Sequence, residues 1–372
     1  MRKFVLVLSI TVIAACLPSM TGFSQQTARD RLYSGEKNLH GINLSDLQLT
    51  GGDFQNLNLT GAVFRNTRIE KCRFINCIIN YADFSNADIR NCNFSYSEMK
   101  SVSFNNASIY ESNFDYCLLS ETKFIKTRML RSSFNGADLS RSVVSEADVS
   151  AVSFAYAMLD KNSITGSFIR NCDFSNGHID SGEVLNTDFS GSRFIDAYLK
   201  LCSFKNVKVL LGDFTGAYMP GVQFTDSDLS SAVFLRAYIA GAVFVKSNLT
   251  GIIARDSFMV LSEFNECRVM NSFFSGVKFS GSSFRNSDFS NSDFSGADLS
   301  AIDYGRDHFL SYRELGVRVD DDKIEMIKKT GVRIISTSFR GCDFRNVKLN
   351  KIIENQLSGE NIKNREMIIL MD

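Results

Sequence analysis

The sequence predicts an all-β solenoid, because its hydrophobic residues recur with a fixed period of five. From Leu39 to Tyr304 every fifth residue is apolar, at 54 consecutive positions without insertion or deletion. Of the 32 phenylalanines in the chain, 24 occupy this phase within that range. A repeat this short and regular is typical of a chain that winds into a tube in which each coil contacts mainly its neighbours.

The residue two positions before each apolar centre is also restricted. From Gly52 to Ala297, 47 of these 50 positions hold Ala, Ser, Thr, Cys, Val or Gly. The exceptions are Leu57, Asn162 and Ile252. Residues two apart point to the same side of an extended chain, so the large centre and its small partner both face inward. The residue two positions after the centre is Gly, Asn or Asp in 27 of 49 cases. These types tolerate the positive φ that tight turns need.

Individual blocks carry a family motif. Residues 82–86 read Ala-Asp-Phe-Ser-Asn and residues 297–301 read Ala-Asp-Leu-Ser-Ala, which resembles the pentapeptide-repeat family and its motif A-[DN]-[LF]-X-X. The resemblance covers roughly three quarters of the chain. It implies a right-handed quadrilateral parallel β-helix with four pentapeptides per coil. The 54 pentapeptides then give about 13 coils. At ~4.8 Å between adjacent strands the tube would be roughly 65 Å long.

Phenylalanine and aliphatic centres alternate, which supports the square section independently. Ten phenylalanines from Phe54 to Phe234 are spaced by twenty residues, and so are five from Phe204 to Phe284. With twenty residues per coil, phenylalanine ladders line two opposite inner walls, and Leu, Ile, Met and Val line the other two. We expect this alternation to fill the interior without voids, at the packing density of other protein cores.

Residues 1–24 are predicted to be an export leader and not part of the fold. Two basic residues precede an apolar run from Phe4 to Ala15, which is too short to span a bilayer and is typical of a secretory signal. The four residues that end at Cys16 resemble a bacterial lipobox, which implies cleavage after residue 15 and a lipid on Cys16. Small residues further on suit ordinary cleavage after residue 24. We therefore expect a periplasmic or outer-membrane lipoprotein or a secreted protein, attached to a membrane only through that lipid.

Segments outside the regular repeat are predicted to close the tube, since open strand edges invite aggregation. Residues 25–38 are interpreted as an N-terminal cap before the repeat region 39–304. Residues 305–336 are interpreted as an insertion with one short helix. In this range aspartates stand before a helix-like apolar run, lysines occupy its last turn, and a glycine follows it. Repeats resume over 337–350, and 351–372 form a C-terminal cap. The apolar tail of that cap is interpreted as a strand or as a self-association edge that forms a homodimer.

The charge balance argues against two classes of function. The chain has 41 basic and 41 acidic residues, which is not the basic field of a nucleic-acid binder. From Leu39 to Leu310 there are 29 acidic and 24 basic residues, a net charge of −5. This is weak for a DNA mimic that protects a topoisomerase, an activity that the resemblance would imply for cytoplasmic members of the family. The predicted leader also disfavours that activity.

Catalytic, metal and cofactor sites are not expected. The three histidines, His40, His178 and His308, lie near no nucleophile motif, and the chain has no CxxC and no phosphate-binding glycine loop. Cys72 and Cys92 are twenty residues apart and should stack on neighbouring coils, a poor arrangement for a disulfide. Eight of the nine cysteines occupy the small inward positions and are predicted to be buried free thiols that serve packing. They are Cys72, Cys77, Cys92, Cys117, Cys172, Cys202, Cys267 and Cys342.

One outward column differs from the polar background. On one face, the residue before the centre is apolar or aromatic on six successive coils, and these side chains should form an exposed ladder with ~4.8 Å steps. A contiguous exposed apolar patch marks an interaction site. The structural alternatives are a cross-coil stack that stabilises the sheet, or the surface beneath a folded-over tail. The column consists of Met158, His178, Tyr198, Tyr218, Tyr238 and Phe258.

The sequence therefore predicts a non-enzymatic scaffold of the cell envelope that binds an unidentified protein partner. The alternative is a carbohydrate or cell-wall binder, because aromatic side chains suit sugars as well as proteins. An enzyme would need a cleft, which a regular tube does not provide.

Overall fold

The chain forms a parallel β-helix of about 15 turns with few helices, close to the predicted number of coils. The structure is a computed structural model that describes residues 25–300 and 332–371. The predicted leader, and most of the predicted insertion with its helix, lie outside the described residues. Among the described residues, no helix is long and apolar enough to cross a membrane.

The tube has four walls, as the period of twenty predicts, and they are numbered in chain order. In one representative coil, wall 1 is centred on Leu59, wall 2 on Phe64, wall 3 on Ile69 and wall 4 on Phe74, and all four side chains are buried. Residues exactly one coil apart pair in parallel, as Ile69 does with Ile89. The main chain therefore repeats its position every twenty residues.

Wall 3 carries a seven-stranded parallel sheet in the order β1-β2-β3-β4-β6-β8-β10. Its strands are β1 (Gln48–Thr50), β2 (Arg68–Glu70), β3 (Asp88–Arg90), β4 (Ser108–Tyr110), β6 (Arg128–Leu130), β8 (Asp148–Ser150) and β10 (Phe168–Arg170).

Wall 2 carries a ten-stranded parallel sheet in the order β17-β16-β15-β14-β13-β12-β11-β9-β7-β5. Its strands are β5 (Lys123–Ile125), β7 (Val143–Ser145), β9 (Ser163–Thr165), β11 (Glu183–Leu185), β12 (Ser203–Lys205), β13 (Gln223–Thr225), β14 (Val243–Val245), β15 (Glu263–Asn265), β16 (Ser283–Arg285) and β17 (Arg333–Ile335).

The register between β16 and β17 locates the insertion. Phe284 pairs with Ile334, a step of 50 residues that contains one 20-residue coil and 30 additional residues. β17 lies inside the range 305–336 that was predicted to be inserted. Because Ile334 stands at a centre position and Val332 is buried in the small position before it, the coil has resumed by Val332. The predicted boundary at residue 337 is therefore wrong.

Both ends of the described tube are covered. Residues 25–33 form helix α1, in which Leu32 is buried and the Tyr33 ring meets Phe54 edge-on at 5.0 Å. At the other end lie helix α2 (Lys351–Gln356) and a 3-10 turn (Arg365–Met367). The apolar tail then forms strand β19 (Ile369–Met371), which pairs with β18 (Lys348–Asn350) on wall 1. The tail is thus the last strand of the tube.

Phenylalanine rings fill the interior in two directions. Along wall 4, the rings of Phe74, Phe94 and Phe114 stack nearly parallel, with centroids 4.9 and 4.8 Å apart. Across the tube, Phe84 of wall 2 meets Phe94 edge-on, at 6.0 Å and 87°. Both are favoured arrangements for aromatic pairs. The two phenylalanine walls predicted from the spacing are therefore present, and they interlock at the tube axis.

The side chains at the small inward positions form hydrogen bonds as well as leaving room for the chain to turn. Ser97 Oγ donates to the carbonyl oxygen of Phe74 at 2.6 Å, and Thr127 Oγ1 donates to that of Phe104 at 2.8 Å. These hydroxyls satisfy buried carbonyl groups at the corners, which explains why serine and threonine are tolerated inside the tube. The corner residues have the predicted positive φ, for example 61° at Asn86.

The filling of the tube has one defect. On wall 2 the centres Val144, Ile164 and Val184 replace phenylalanine on three successive coils. A cavity of about 20 Å³ is lined by the first two of these, Val144 and Ile164, so the expected absence of voids is wrong. The amide of Asn162, one of the exceptions among the small positions, borders this cavity. Its Oδ1 accepts from Ser142 N at 2.9 Å, but its buried Nδ2 has no hydrogen-bond partner.

We predict that Asn162→Thr stabilises the protein by about 1 kcal/mol, the lower end of the cost of a buried unpaired donor. Threonine keeps an oxygen that can accept from Ser142 N and removes the unpaired amide. The measurement is urea unfolding, with the exposed neighbour Ser163→Thr as the matched control, which should change stability by less than about 0.5 kcal/mol. A loss of stability in Asn162→Thr would show that the amide is satisfied, for instance by a water in the cavity.

Candidate interaction surface

The predicted outward column is present on wall 1, and its side chains are in contact. Each member bridges to the next along the tube, from Met158 through His178 to Phe258. The rings of His178 and Tyr198 stack at 4.5 Å and 4°, and those of Tyr238 and Phe258 at 5.0 Å and 7°. Parallel pairing at twenty-residue steps causes this stacking, since it places equivalent side chains one strand spacing apart. We call these six residues the outer ladder.

The outer ladder changes in both geometry and exposure at its middle. Tyr198 and Tyr218 are tilted by 53° with centroids 5.8 Å apart, whereas Tyr218 and Tyr238 stack at 5.1 Å. Met158, His178 and Tyr198 are exposed, while Tyr218, Tyr238 and Phe258 are only partly exposed. Burial raises the pKa of the Tyr218 phenol, with smaller contributions from Asp180 and Tyr198. The ladder therefore has an open half and a half that is shielded from water.

Further exposed apolar side chains lie near the open half, and the sequence analysis did not identify them. Tyr96, Tyr116 and Tyr156 stand two positions after wall 4 centres, at the corner with wall 1. Leu118 lies in the same outward column as Met158, with Asp138 between them. Tyr96 and Tyr116 stack at 5.1 Å and 9°. These tyrosines occupy turn positions with positive φ, such as 59° at Tyr116. These tyrosines could have been found from the sequence, because they stand at turn positions where glycine and asparagine are typical.

Beside the open half, the corner between walls 1 and 2 is a charged groove. It has a volume of about 370 Å³. Next to it, the backbone N–H of Asp180 donates to Asp160 Oδ1 at 3.0 Å, and that of Lys200 donates to Asp180 Oδ1 at 2.8 Å. Burial, with the charge of Asp160, raises the pKa of the Asp180 carboxyl. The groove is lined by Lys100, Ser120, Glu121, Asp138, Ser140, Arg141, Asp160 and Lys161.

On the other walls, opposite charges are interleaved from coil to coil. Arg128 Nε lies 3.7 Å from Asp148 Oδ2 on wall 3, and Arg193 Nη1 lies 3.6 Å from Asp173 Oδ2 on wall 4. Such exposed pairs contribute little to stability, about 0–1 kcal/mol each. They do, however, prevent these walls from presenting a continuous field of one sign.

The histidines and cysteines considered in the sequence analysis do not form a catalytic or metal site among the described residues. His40 and His178 are both exposed and lie about seven coils apart, and His308 is outside the described residues. Over 25–300 and 332–371, no group of three or more His, Cys, Asp or Glu side chains is placed to hold a metal ion. All eight cysteines of the small positions are buried and free, as predicted. Cys16, the predicted lipidation site, is among the residues the structure leaves undescribed.

Comparison with known families identifies the repeat. The pentapeptide-repeat family model matches in eight copies that together span just over half of the chain, so the protein belongs to this family. The matched residues are 42–80, 70–106, 103–141, 112–150, 217–257 and 262–300. A search of curated protein sequences finds no significant match.

Three solved structures illustrate the similarity. The pentapeptide repeat protein HetL, involved in heterocyst differentiation regulation in Nostoc sp. strain PCC 7120, is 19% identical, with 61% of this chain and 91% of HetL covered and a TM-score of 0.36. QnrB1, a plasmid-mediated fluoroquinolone resistance protein, is 21% identical over 44% of this chain and 96% of its own, with a TM-score of 0.33. A mannuronic acid specific lyase from human gut microbiota is 11% identical over 94% and 89%, with a TM-score of 0.26. Similarities this low transfer no function to this chain.

We predict that Cys72 is the first of the buried thiols to react with an alkylating reagent at pH 8. A hydrogen bond from Cys92 lowers the pKa of Cys72, whereas burial raises the pKa of Cys77 to about 11 and of Cys117 to about 12. Since the thiolate is the nucleophile, the raised groups stay protonated and unreactive at this pH. Peptide mapping by mass spectrometry after timed labelling measures the order. The prediction fails if Cys117 is modified as fast as Cys72 in the folded protein.

Proposed function

We propose that the protein is an exported, non-enzymatic scaffold of the cell envelope that binds a protein partner through wall 1. The observation that carries this proposal is the outer ladder, whose open half is flanked by the exposed Tyr156. Exposed Tyr116 and Leu118 lie two coils before Met158, beyond Asp138. Aromatic and methionine side chains are enriched in protein interfaces, and a contiguous exposed apolar patch is uncommon on a protein that acts alone.

Stabilisation of the tube does not by itself explain the ladder. Outward columns on the other walls consist largely of polar side chains, for example Asp88, Ser108 and Arg128 on wall 3, and their strands pair in the same register. Coil stacking is therefore maintained without outward aromatic rings. Wall 4 also carries an apolar outward run, but it covers only three coils, at Val233, Ile253 and Phe273. The six-coil column on wall 1 is better explained by contact with another molecule.

The ring geometry favours a protein partner over a sugar. A sugar stacks on the open face of an aromatic ring. In the outer ladder Tyr238 has a ring on both faces, Tyr218 at 5.1 Å and Phe258 at 5.0 Å. His178 and Phe258 each have one face covered by a neighbouring ring, so mainly ring edges point outward. A row of edges offers a flat apolar strip of the kind that packs against side chains of another protein.

One observation supports the non-enzymatic part of the proposal, and another argues against DNA mimicry. The interior is filled by the phenylalanine and aliphatic walls, and its cavity of about 20 Å³ holds about one water molecule. Interleaved charges on the outer walls, together with the mildly acidic repeat region, do not favour mimicry of DNA as the mode of action.

The binding proposal is tested with the double variant Met158→Ser, Tyr198→Ser. We expect at least about a tenfold loss of affinity for the partner, which corresponds to about 1.4 kcal/mol and is modest for a buried aromatic contact. The mature protein is first used to capture proteins from an envelope extract, and affinity is then measured with the purified partner.

The control for this experiment is Phe168→Ser on wall 3, because Phe168 and Tyr198 are similarly exposed, at 48% and 43%. Both variants should keep the thermal unfolding temperature of the parent protein. Equal affinity of the double variant and the parent would refute the role of the ladder. A glycan-array signal that the double variant loses, without protein capture, would instead establish the carbohydrate alternative.

Export is proposed from the basic start, the apolar run from Phe4 to Ala15, and Cys16. We predict that cell fractionation recovers the protein in the envelope, and that Cys16→Ser abolishes labelling by a fatty-acid analogue if the lipoprotein route is used. Retained export without labelling would establish the soluble route, with cleavage after residue 24. Recovery only from the cytoplasm, with the N-terminus intact, would contradict export.

A further inference from the structure

The charged groove at the corner between walls 1 and 2 is formed around two small residues. Ser120 and Ser140 occupy the position directly after the wall 1 centre, and on the coils on either side that position holds the longer Lys100 and Asp160. The groove volume of about 370 Å³ falls at the lower end of the range for small-molecule sites, about 300–1,000 Å³. The groove therefore has room for a molecule of amino-acid to dipeptide size.

The charges of the turn residues are arranged differently at this groove than elsewhere on the tube. The turn residue, the second after each centre, lies next to its equivalent on the following coil. Where two such neighbours are both charged, their signs are opposite, as for Lys126 and Glu146, which form an ion pair at 3.6 Å. Arg141 and Lys161, which line the groove, are the one neighbouring pair of like charge among the turn residues of the described coils.

These two basic side chains have no counter-ion within the described part of the chain. Glu121, the acidic turn residue on the preceding coil, is engaged by Lys100, whose Nζ lies 3.5 Å from Glu121 Oε1. Neither Arg141 nor Lys161 makes a hydrogen bond or an ion pair with a described residue. Like charges on adjacent strands repel each other. A bound anion would remove this repulsion, and the hydroxyl group of Ser140 stands beside it as a further donor.

The groove also carries two carboxylates that each have an unused oxygen. Asp138 Oδ1 accepts a hydrogen bond from Ser140 N at 2.9 Å, and Asp160 Oδ1 accepts one from Asp180 N at 3.0 Å. These bonds orient both carboxylates. The Oδ2 atom of each has no hydrogen bond or ion pair with any residue that the structure describes. Two ionised oxygens of this kind are acceptors for an ammonium group.

We propose that the charged groove binds a small zwitterion, an amino acid or short peptide with a free carboxylate and a free ammonium group. Arg141 and Lys161 hold the carboxylate, and Asp138 and Asp160 hold the ammonium group. A ligand with charge of one sign only is attracted by one of these pairs and repelled by the other, so a dipolar ligand fits best. The inference does not rest on the proposed protein partner, because the lining of the groove and the outer ladder share no residue.

Three probes that differ only in their end groups test the ligand class. They are the dipeptide alanyl-alanine, its N-acetyl form without the ammonium group, and its amide without the carboxylate. Affinities are measured by NMR titration of the purified protein. We expect the unblocked dipeptide to bind at least about tenfold more tightly than either blocked form. Absence of binding at millimolar concentration, or equal affinity for either blocked form, would overturn the inference.

Variants of the two basic residues test the location of the site. The double variant Arg141→Asn, Lys161→Asn should bind alanyl-alanine at least about tenfold more weakly. Asparagine suits the positive φ of these positions, 60° and 57°. The control is Lys126→Asn with Arg131→Asn, which makes the same change of charge at turn residues with φ of 55° and 50°. An equal loss of affinity in the control would show an effect of net charge alone and would contradict the inference.

The variant Asp160→Asn tests the contact with the ammonium group. It keeps the oxygen that accepts from Asp180 N and removes the negative charge. Binding of alanyl-alanine should weaken, while the weaker binding of the N-acetyl form should not decrease. A parallel decrease for both probes would mean that Asp160 only maintains the shape of the groove, and the proposed contact would be wrong.

Discussion

The inward pair formed by a large centre and the small residue two positions before it determines most of this structure. The small residue lets the chain turn, its hydroxyl or thiol satisfies a buried carbonyl, and the large centre stacks on its equivalent twenty residues away, as Phe94 does on Phe114. Because all four walls share this pairing, one register holds throughout the described coils. Because the inward positions stabilise the tube, the outward positions are free to vary, and function can determine the residue types in each outer column.

The sequence predicted the repeated part of the fold well because its signals are local and periodic. Phase alone placed the phenylalanine walls, the buried cysteines and the outer ladder. The sequence predicted the structure less well at positions where the side chains of neighbouring coils determine the packing. The cavity near Asn162 is lined by two wall 2 centres, Val144 and Ile164, that are each acceptable by themselves. The early return of the coil at Val332 was missed because the short stretch around Ile334 has one centre before the recognisable repeats at Phe339 and beyond.

The same limit applies to the candidate surface. Periodicity identified the outer ladder because its members share one phase, but it could not show that half of them are shielded. Tyr96, Tyr116 and Tyr156 were overlooked since their phase is that of turn residues, where the rule describes backbone geometry and says nothing about the exposed ring. Side-chain exposure on a solenoid depends on what lies outside the tube, and that information is not contained in the repeat.

The step from β16 to β17 has a consequence for how such a chain can change over time. Its 30 extra residues begin and end at one corner, and the coils on either side keep their register. A segment inserted between two coils that remain paired can be lengthened, shortened or exchanged without a change in their register. The tube therefore offers a place where new sequence can be acquired at small structural cost.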